Sequence, residues 1–303
     1  MGTTVLQNIF NALQWGSFYS MIALGYCLVY GVLRLINFAH GDIFMTACYI
    51  AFFVATGLLG YFAIGGWLVF AITLLLTMGG TALLGITIER VAYRPLRTKG
   101  VNRLYVVITA LMVGFILENG NLAVLGASSR RFPDMMEKHI WQFGPVVLTN
   151  LKVMVIAAAF VVFGILQWIV KKTVFGMSMR AISYDKFAIP LMGIPVNQVI
   201  TWTFALGSAL AAVAGILFGL SYPVLDPYMG MIIGWKAFIA AVVGGIGEIK
   251  GAFLGGFILG FIEIFIAAFF PSSFKDLISF VILLIILVLK PTGFFGVARS
   301  TKI

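Results

Sequence analysis

GMSMRAISYDKFAIPLMG, residues 176–193, is a polar, mildly basic island between two long apolar segments. The chain on either side of it reads as membrane. A helix over 175–189 would place Phe175, Met179, Ile182 and Ile189 in one narrow sector, with Ser178, Tyr184 and Asp185 elsewhere. Lys186 interrupts the apolar sector. Pro190 ends or kinks such a helix, and Gly193 can close the stretch beyond the proline. The pattern predicts a short helix lying at the membrane surface with a defined stop. Two roles are open to it: an interfacial connector, or an element that docks on another protein.

The surrounding composition sets the class. Of 303 residues, 62% are hydrophobic and only 10% are charged, against about 25% charged in a soluble domain. Mean hydropathy is +1.10. No soluble core hides that much apolar surface, so the chain is expected to be a polytopic membrane protein. Backbone in lipid must satisfy its own hydrogen bonds, which leaves helical bundles or closed barrels. Apolar runs of roughly 20 residues favour helices over the ten-residue alternation of a barrel. The expected fold is a single all-α transmembrane bundle over 1–303, of eight or nine spans. The excess of 20 Lys and Arg over 10 Asp and Glu reads as basic cytoplasmic loops, not as a nucleic-acid surface. No basic region precedes the first apolar run, so no removable leader is expected. Cys27 and Cys48 both fall in apolar segments and read as free core thiols.

Apolar segments lie at about 9–33, 41–60, 63–91, 104–125, 147–170, 198–221, 231–247, 251–270 and 275–290. The stretch 92–103 holds Arg94, Arg97, Lys99 and Arg103 and no acid, and 171–197 holds Lys171, Lys172, Arg180 and Lys186. Two spans separate these stretches, so they share a side, and their basic character makes it cytoplasmic. Loop 126–146 is more balanced: Asp134 and Glu137 offset part of Arg130, Arg131 and Lys138. The segment 231–247 is short and ends in glycines, so it is a candidate re-entrant element. The stretch Arg34-Leu-Ile-Asn-Phe-Ala-His-Gly-Asp42 is either a tight solvated turn or a helix broken within the bilayer. In the second case Asn37, His40 and Asp42 are candidates for a translocation path, because non-helical backbone at depth must face protein or water. Small residues recur at four-residue spacing at Ala211, Gly215 and Gly219, at Gly251 and Gly255, and at Gly256 and Gly260, which permits close helix approach within the chain or against a second subunit.

Enzyme chemistry finds little support. His40 and His139 have no ligand companion at helical spacing, so a metal site is not expected. Hydrolase, metalloprotease and phosphate-loop motifs are missing; Gly245-Ile-Gly-Glu-Ile-Lys-Gly251 has glycines without the Lys-Ser/Thr pair that cradles phosphate. Intramembrane ionisable groups are functional candidates by default. Lys236 and Glu263 are read as a possible ion pair, and Glu118 as a carboxylate near the external interface. In a proton-coupled carrier such acids would act as relays.

Four stretches carry a family resemblance over nearly the whole length. They are Ile36-Asn-Phe-Ala-His-Gly-Asp42, Glu89-Arg-Val-Ala-Tyr-Arg-Pro-Leu-Arg97, Gly176-Met-Ser-Met-Arg-Ala181 with Leu191-Met-Gly-Ile194, and Ala241-Val-Val-Gly-Gly-Ile-Gly247 continuing through Gly251-Ala-Phe-Leu-Gly-Gly256. In this order they resemble the LivH-type permease subunits of bacterial ATP-driven importers for branched-chain amino acids. The small residues that precede Leu-Met-Gly-Ile in the family are here Ile189 and Pro190. The resemblance implies a permease in the bacterial inner membrane without an ATPase site or bound cofactor of its own. Its implied partners are a paralogous permease, two cytoplasmic ATPases that carry ATP and Mg, and an extracytoplasmic binding protein for leucine, isoleucine or valine. It further implies that 171–197 is the loop coupling to the ATPase, through Met179, Arg180, Ala181, Ile182, Asp185, Leu191, Met192 and Gly193. Related permeases carry urea, short amides or sugars, and a self-contained secondary carrier or channel is the competing class.

Overall fold

The structure is a computed structural model that describes residues 2–61, 66–144, 146–184 and 189–296. Asp185 of the candidate coupling loop lies outside them, as does Lys186. Eleven α-helices are described: α1 (Gly2–Leu33), α2 (His40–Tyr61), α3 (Gly66–Ile88), α4 (Arg94–Thr98), α5 (Arg103–Leu125), α6 (Asn150–Lys172), α7 (Val174–Tyr184), α8 (Val196–Ser221), α9 (Met229–Gly245), α10 (Ile249–Phe269) and α11 (Lys275–Leu289). Four short strands add two small antiparallel ladders: β1 (Arg130–Arg131) pairs with β4 (Val224–Leu225), and β2 (Ile140–Phe143) with β3 (Val146–Thr149). The fold is an all-α bundle.

Contacts between elements sort the helix ends onto two faces. At one face Arg34, just past α1, donates to the Ser183 carbonyl of α7, Arg94 reaches Thr201 near the start of α8, and the segment after α11 bonds to the end of α9 through Phe294 and Phe295. At the other face β1 pairs with β4, Gln7 exchanges two hydrogen bonds with Val147, and Lys152 donates to Asn11. Among the described residues, nine helices therefore run between the two faces. Seven passes use helices long enough to cross a bilayer. The other two, α9 and α11, have 17 and 15 residues, or roughly 25 and 22 Å at 1.5 Å per residue, short of the ~30 Å hydrocarbon core.

The first face carries Arg34, Arg90, Arg94, Arg97, Lys99, Lys171, Lys172, Arg180, Lys250 and Lys290 against the acids Glu89 and Glu248, while the second mixes Arg130, Arg131, Lys138, Lys152 and Lys275 with Asp134, Glu137, Asp226 and Asp276. By the positive-inside rule, that asymmetry predicts a cytoplasmic first face. Segment 92–103 is not the open basic loop that its charges suggested. The α3 helix continues through a π turn at Glu89–Tyr93 into α4. Glu89, fully buried, pairs with Arg94 at 2.7 Å and with Arg97 at 2.9 Å, and accepts from Thr201 at 2.9 Å. A carboxylate inside the helix thus neutralises the two arginines that looked like loop residues.

The two central helices, α1 and α8, are buried over most of their length, whereas α3, α5 and α6 turn apolar side chains such as Leu83, Ile116 and Val161 outward. An all-apolar outer surface is what lipid accepts. The glycines of the small-residue repeats face other parts of this chain, Gly219 against the loop residue Phe132 and the rest against helices. Gly251 and Gly255 meet Gly244 and Ala240 of α9, Gly256 and Gly260 meet Ser20 and Gly16 of α1, and Gly215 meets Phe44 and Cys48 of α2. Between the two uses open to these repeats, the fold takes the internal one. Cys27 and Cys48 are buried free thiols.

Candidate coupling surface and translocation path

One residue, Thr173, separates α6 from α7. Its hydroxyl donates to the Ile169 carbonyl at 2.6 Å and accepts from the Gly176 amide at 3.1 Å. Position 176 lies so close to the carbonyls of Ile169 and Val170 that a β-carbon there would collide with both. The Arg180 guanidinium donates to the Val170 carbonyl, satisfying an acceptor that the helix end leaves without an internal partner. The α7 helix is consequently fixed against the last turn of α6.

Met179 and Ile182 of α7, and Ile189 of the short 3₁₀ turn at Ile189–Met192, are buried, while Ala181 and Phe175 pack half-buried against the core. Val174, Met177, Tyr184, Leu191 and Met192 stand outward, Leu191 at 90% exposure. Met179 and Ile182, read from the sequence as members of the coupling loop, are therefore its buried anchors, and the apolar row stands on its outward side. Gly193 comes next with φ +78°, ending the turn where a β-carbon would be strained.

From α7 a polar connection runs into the bundle. Arg34 adopts φ +55°, a region that non-glycine residues rarely occupy, and its side chain holds Ser183 at 2.8 Å. Asn37, His40 and Asp42 are all buried, which removes the solvated-turn reading of 34–42. They do not converge, however. Asn37 accepts a 2.7 Å hydrogen bond from the Tyr93 hydroxyl. His40 packs against Gly25 and the Tyr26 ring, 4.8 Å between centroids. Only Asp42 lines a cavity of about 150 Å³ between α2, α5 and α9. Two residues apart on one helix, His40 and Asp42 project about 200° apart.

Near the opposite face Lys236 lies 2.8 Å from Glu263 and 2.7 Å from Asp276. Glu263 also accepts from the Tyr19 hydroxyl at 2.7 Å and lies 3.4 Å from Lys275. The pair singled out in the sequence is thus part of a larger cluster joining α1, α9, α10 and α11. Tyr19 and Lys275 carry no sequence signal of their own. Glu89 carries little: at i+5, Arg94 would lie about 140° round an α-helix from it, and the π turn at Glu89–Tyr93 is what brings the two together. Among the described residues, no three His, Cys, Asp or Glu side chains gather as a metal site would require.

A multi-pass bundle with a short amphipathic helix fixed at its basic face is the architecture of a transport permease. The chain belongs to the family described as the branched-chain amino acid transport system permease component, which it matches over residues 8–287. It is 37% identical to the high-affinity branched-chain amino acid transport system permease protein BraD of Pseudomonas aeruginosa, covering 98% of each chain. It is 36% identical to the corresponding LivH of Escherichia coli K12, covering 98% of this chain and 97% of the relative. A shorter match, 34% identical over 29% of this chain, is to the autoinducer 2 import system permease protein LsrC of Klebsiella pneumoniae.

Proposed function

We propose that this chain is one permease of an ATP-driven importer in the bacterial inner membrane, carrying leucine, isoleucine and valine. A paralogous permease completes the pathway, two ATPases dock on the cytoplasmic face, and a binding protein delivers substrate from outside. ATP and Mg are held by the ATPases, and this chain binds no cofactor. The family match supports the class of machine. The near full-length identity to two branched-chain amino acid permeases supports the substrate, ahead of urea, short amides or a self-contained carrier.

The observation that carries the coupling role is the outward apolar row on α7 and its 3₁₀ turn. An exposed row of Met177, Tyr184, Leu191 and Met192 at the basic face is what a protein partner covers. Replacing Met177 and Leu191 by Glu puts charge into such a contact without touching the buried face. Burying an unpaired charge costs several kcal/mol, enough to weaken docking by about a hundredfold or more. Ala181, half-buried against the bundle, is a poorer site for this test because Glu there also disturbs the permease. The complex carrying Met177→Glu and Leu191→Glu should purify without its ATPases, or lose ATP turnover stimulated by the loaded binding protein. Retained ATPases together with wild-type uptake would remove α7 as the coupling element.

A further inference from the structure

We propose that the cavity between α2, α5 and α9 is a subsite for the ammonium group of the transported amino acid, held by Asp42 and Glu118. This rests on the reading of the chain as an amino-acid importer and assigns the residues that meet the substrate's positive end.

The argument starts from charge. Asp42 and Glu118 line the cavity together with Tyr26, Phe38, Phe115 and Trp235, and no Lys, Arg or His is among its lining residues. Two carboxylates without a counter-charge in a low-dielectric wall create a strongly cation-selective place. Asp42 is 8% exposed, and its Oδ1 has no hydrogen-bond partner. Buried acceptors are nearly always paired, so an orphan on a carboxylate that lines a cavity points to a group that comes and goes.

The local fold leaves room for it. Gly230 of α9 lies beside Asp42 Oδ1 and Gly114 of α5 beside Oδ2; a β-carbon at either would press on the carboxylate, at 2.8 and 2.6 Å. Both neighbouring helices thus present bare backbone to this carboxylate. About 150 Å³ of room is an order of magnitude above the ~10–15 Å³ that one water needs, so an ammonium head with its shell of water fits. The rings of Phe38 and Trp235, 5.2 Å apart, form an apolar wall at the cavity, and aromatic faces attract ammonium. One turn further on, the Asn121 amide donates to Thr46 at 3.2 Å, which registers α5 against α2 and holds Glu118 on the cavity side.

The site sits where coupling can reach it. Asp42 is in the first turn of α2, directly after the break at 34–39, and that break is tied to α7 by Arg34. A shift of α7 therefore moves the backbone that aims Asp42.

Two measurements test the assignment. In the first, the complete importer is reconstituted in proteoliposomes with its binding protein, and leucine uptake and ATP turnover are followed together. Asp42→Asn and Glu118→Gln should each lower leucine uptake by about tenfold or more, the loss of one charge contact, while binding-protein-stimulated ATP turnover persists. Glu118→Asp should restore part of the uptake. In the second, Met231→Cys is placed at the cavity in a background lacking Cys27 and Cys48. Its labelling by the cationic reagent 2-aminoethyl methanethiosulfonate should outpace that by the anionic 2-sulfonatoethyl analogue. The preference should collapse in Asp42→Asn. This readout needs no transport and works even where uptake fails for structural reasons. Wild-type uptake in both charge-neutral variants overturns the subsite and leaves the importer standing, as does equal labelling by the two reagents. Absence of amino-acid uptake by the wild-type complex overturns the importer reading itself, and the ligand identity with it. Variants that keep leucine uptake but lose a coupled proton flux would reassign the two acids to proton transfer and refute the ammonium site.

Discussion

Glu89 is fully buried and answers to Arg94, Arg97 and Thr201. Removing one partner of a buried ionic group is far more damaging than its net contribution, because the remaining charges lose their compensation. Glu89→Ala should therefore lower stability by about 3–5 kcal/mol, seen as a drop in the unfolding midpoint of the detergent-solubilised protein. Glu89→Gln, which keeps the shape and part of the hydrogen bonding, should lose less. Equal stability of Glu89→Ala and wild type would mean that the arginines are solvated and that the π turn is held by packing alone. The same ion pairing explains why composition misleads at this point. Four basic residues without an acid between 92 and 103 look like a loop, and the acid that cancels two of them lies just outside that window. The role of Glu118 is hidden for a similar reason. From the sequence it sits near a helix end, and only the packing of α5 on α2 brings it to Asp42.

At the scale of elements, the bundle is assembled by backbone-to-backbone contact. A β-carbon at Gly260 would overlap Gly16, and at Gly79 it would meet nothing within 4 Å. Gly260→Val should separate α10 from α1, lowering both yield and unfolding midpoint, because no flexible side chain is available to give way. Gly79→Ala should be neutral or stabilise by up to about 1 kcal/mol, since Ala loses less conformational freedom in a helix. Comparing the two by thermal unfolding checks whether it is close approach, and not glycine content, that matters; similar losses in both would sink that claim. The four-residue spacing is readable directly, but its direction is not. Spacing says that a helix can approach something closely, and only tertiary contacts say which helix that is.

For the whole molecule, the nine apolar segments of the sequence reappear as α1, α2, α3, α5, α6, α8, α9, α10 and α11. Hydropathy is legible because lipid imposes one long-range rule on every segment. The brevity of α9 and α11 is already readable in the short segments 231–247 and 275–290, whereas the extension of α3 into α4 depends on ion pairing that hydropathy does not see. The basic face predicts the sidedness. Single cysteines at Leu191 and Ser129, both exposed, should report it in a background lacking Cys27 and Cys48. In intact cells an impermeant thiol reagent should label Ser129→Cys, and Leu191→Cys only after lysis. The reverse pattern would turn the molecule over and take the proposed docking surface to the wrong side.

The single-residue joint at Thr173 has a bearing on how such permeases can be recombined. With Gly176 pressed on the carbonyls of Ile169 and Val170, Arg180 bonded to Val170 and Ser183 bonded to Arg34, the surface helix has no slack at either end. A chimera that exchanges 174–184 alone for the equivalent piece of a relative inherits a foreign fit at both joints. Transplanting partner choice should require carrying the last turn of α6 and residue 34 as one cassette, so the smallest exchangeable module of this protein is discontinuous in its sequence.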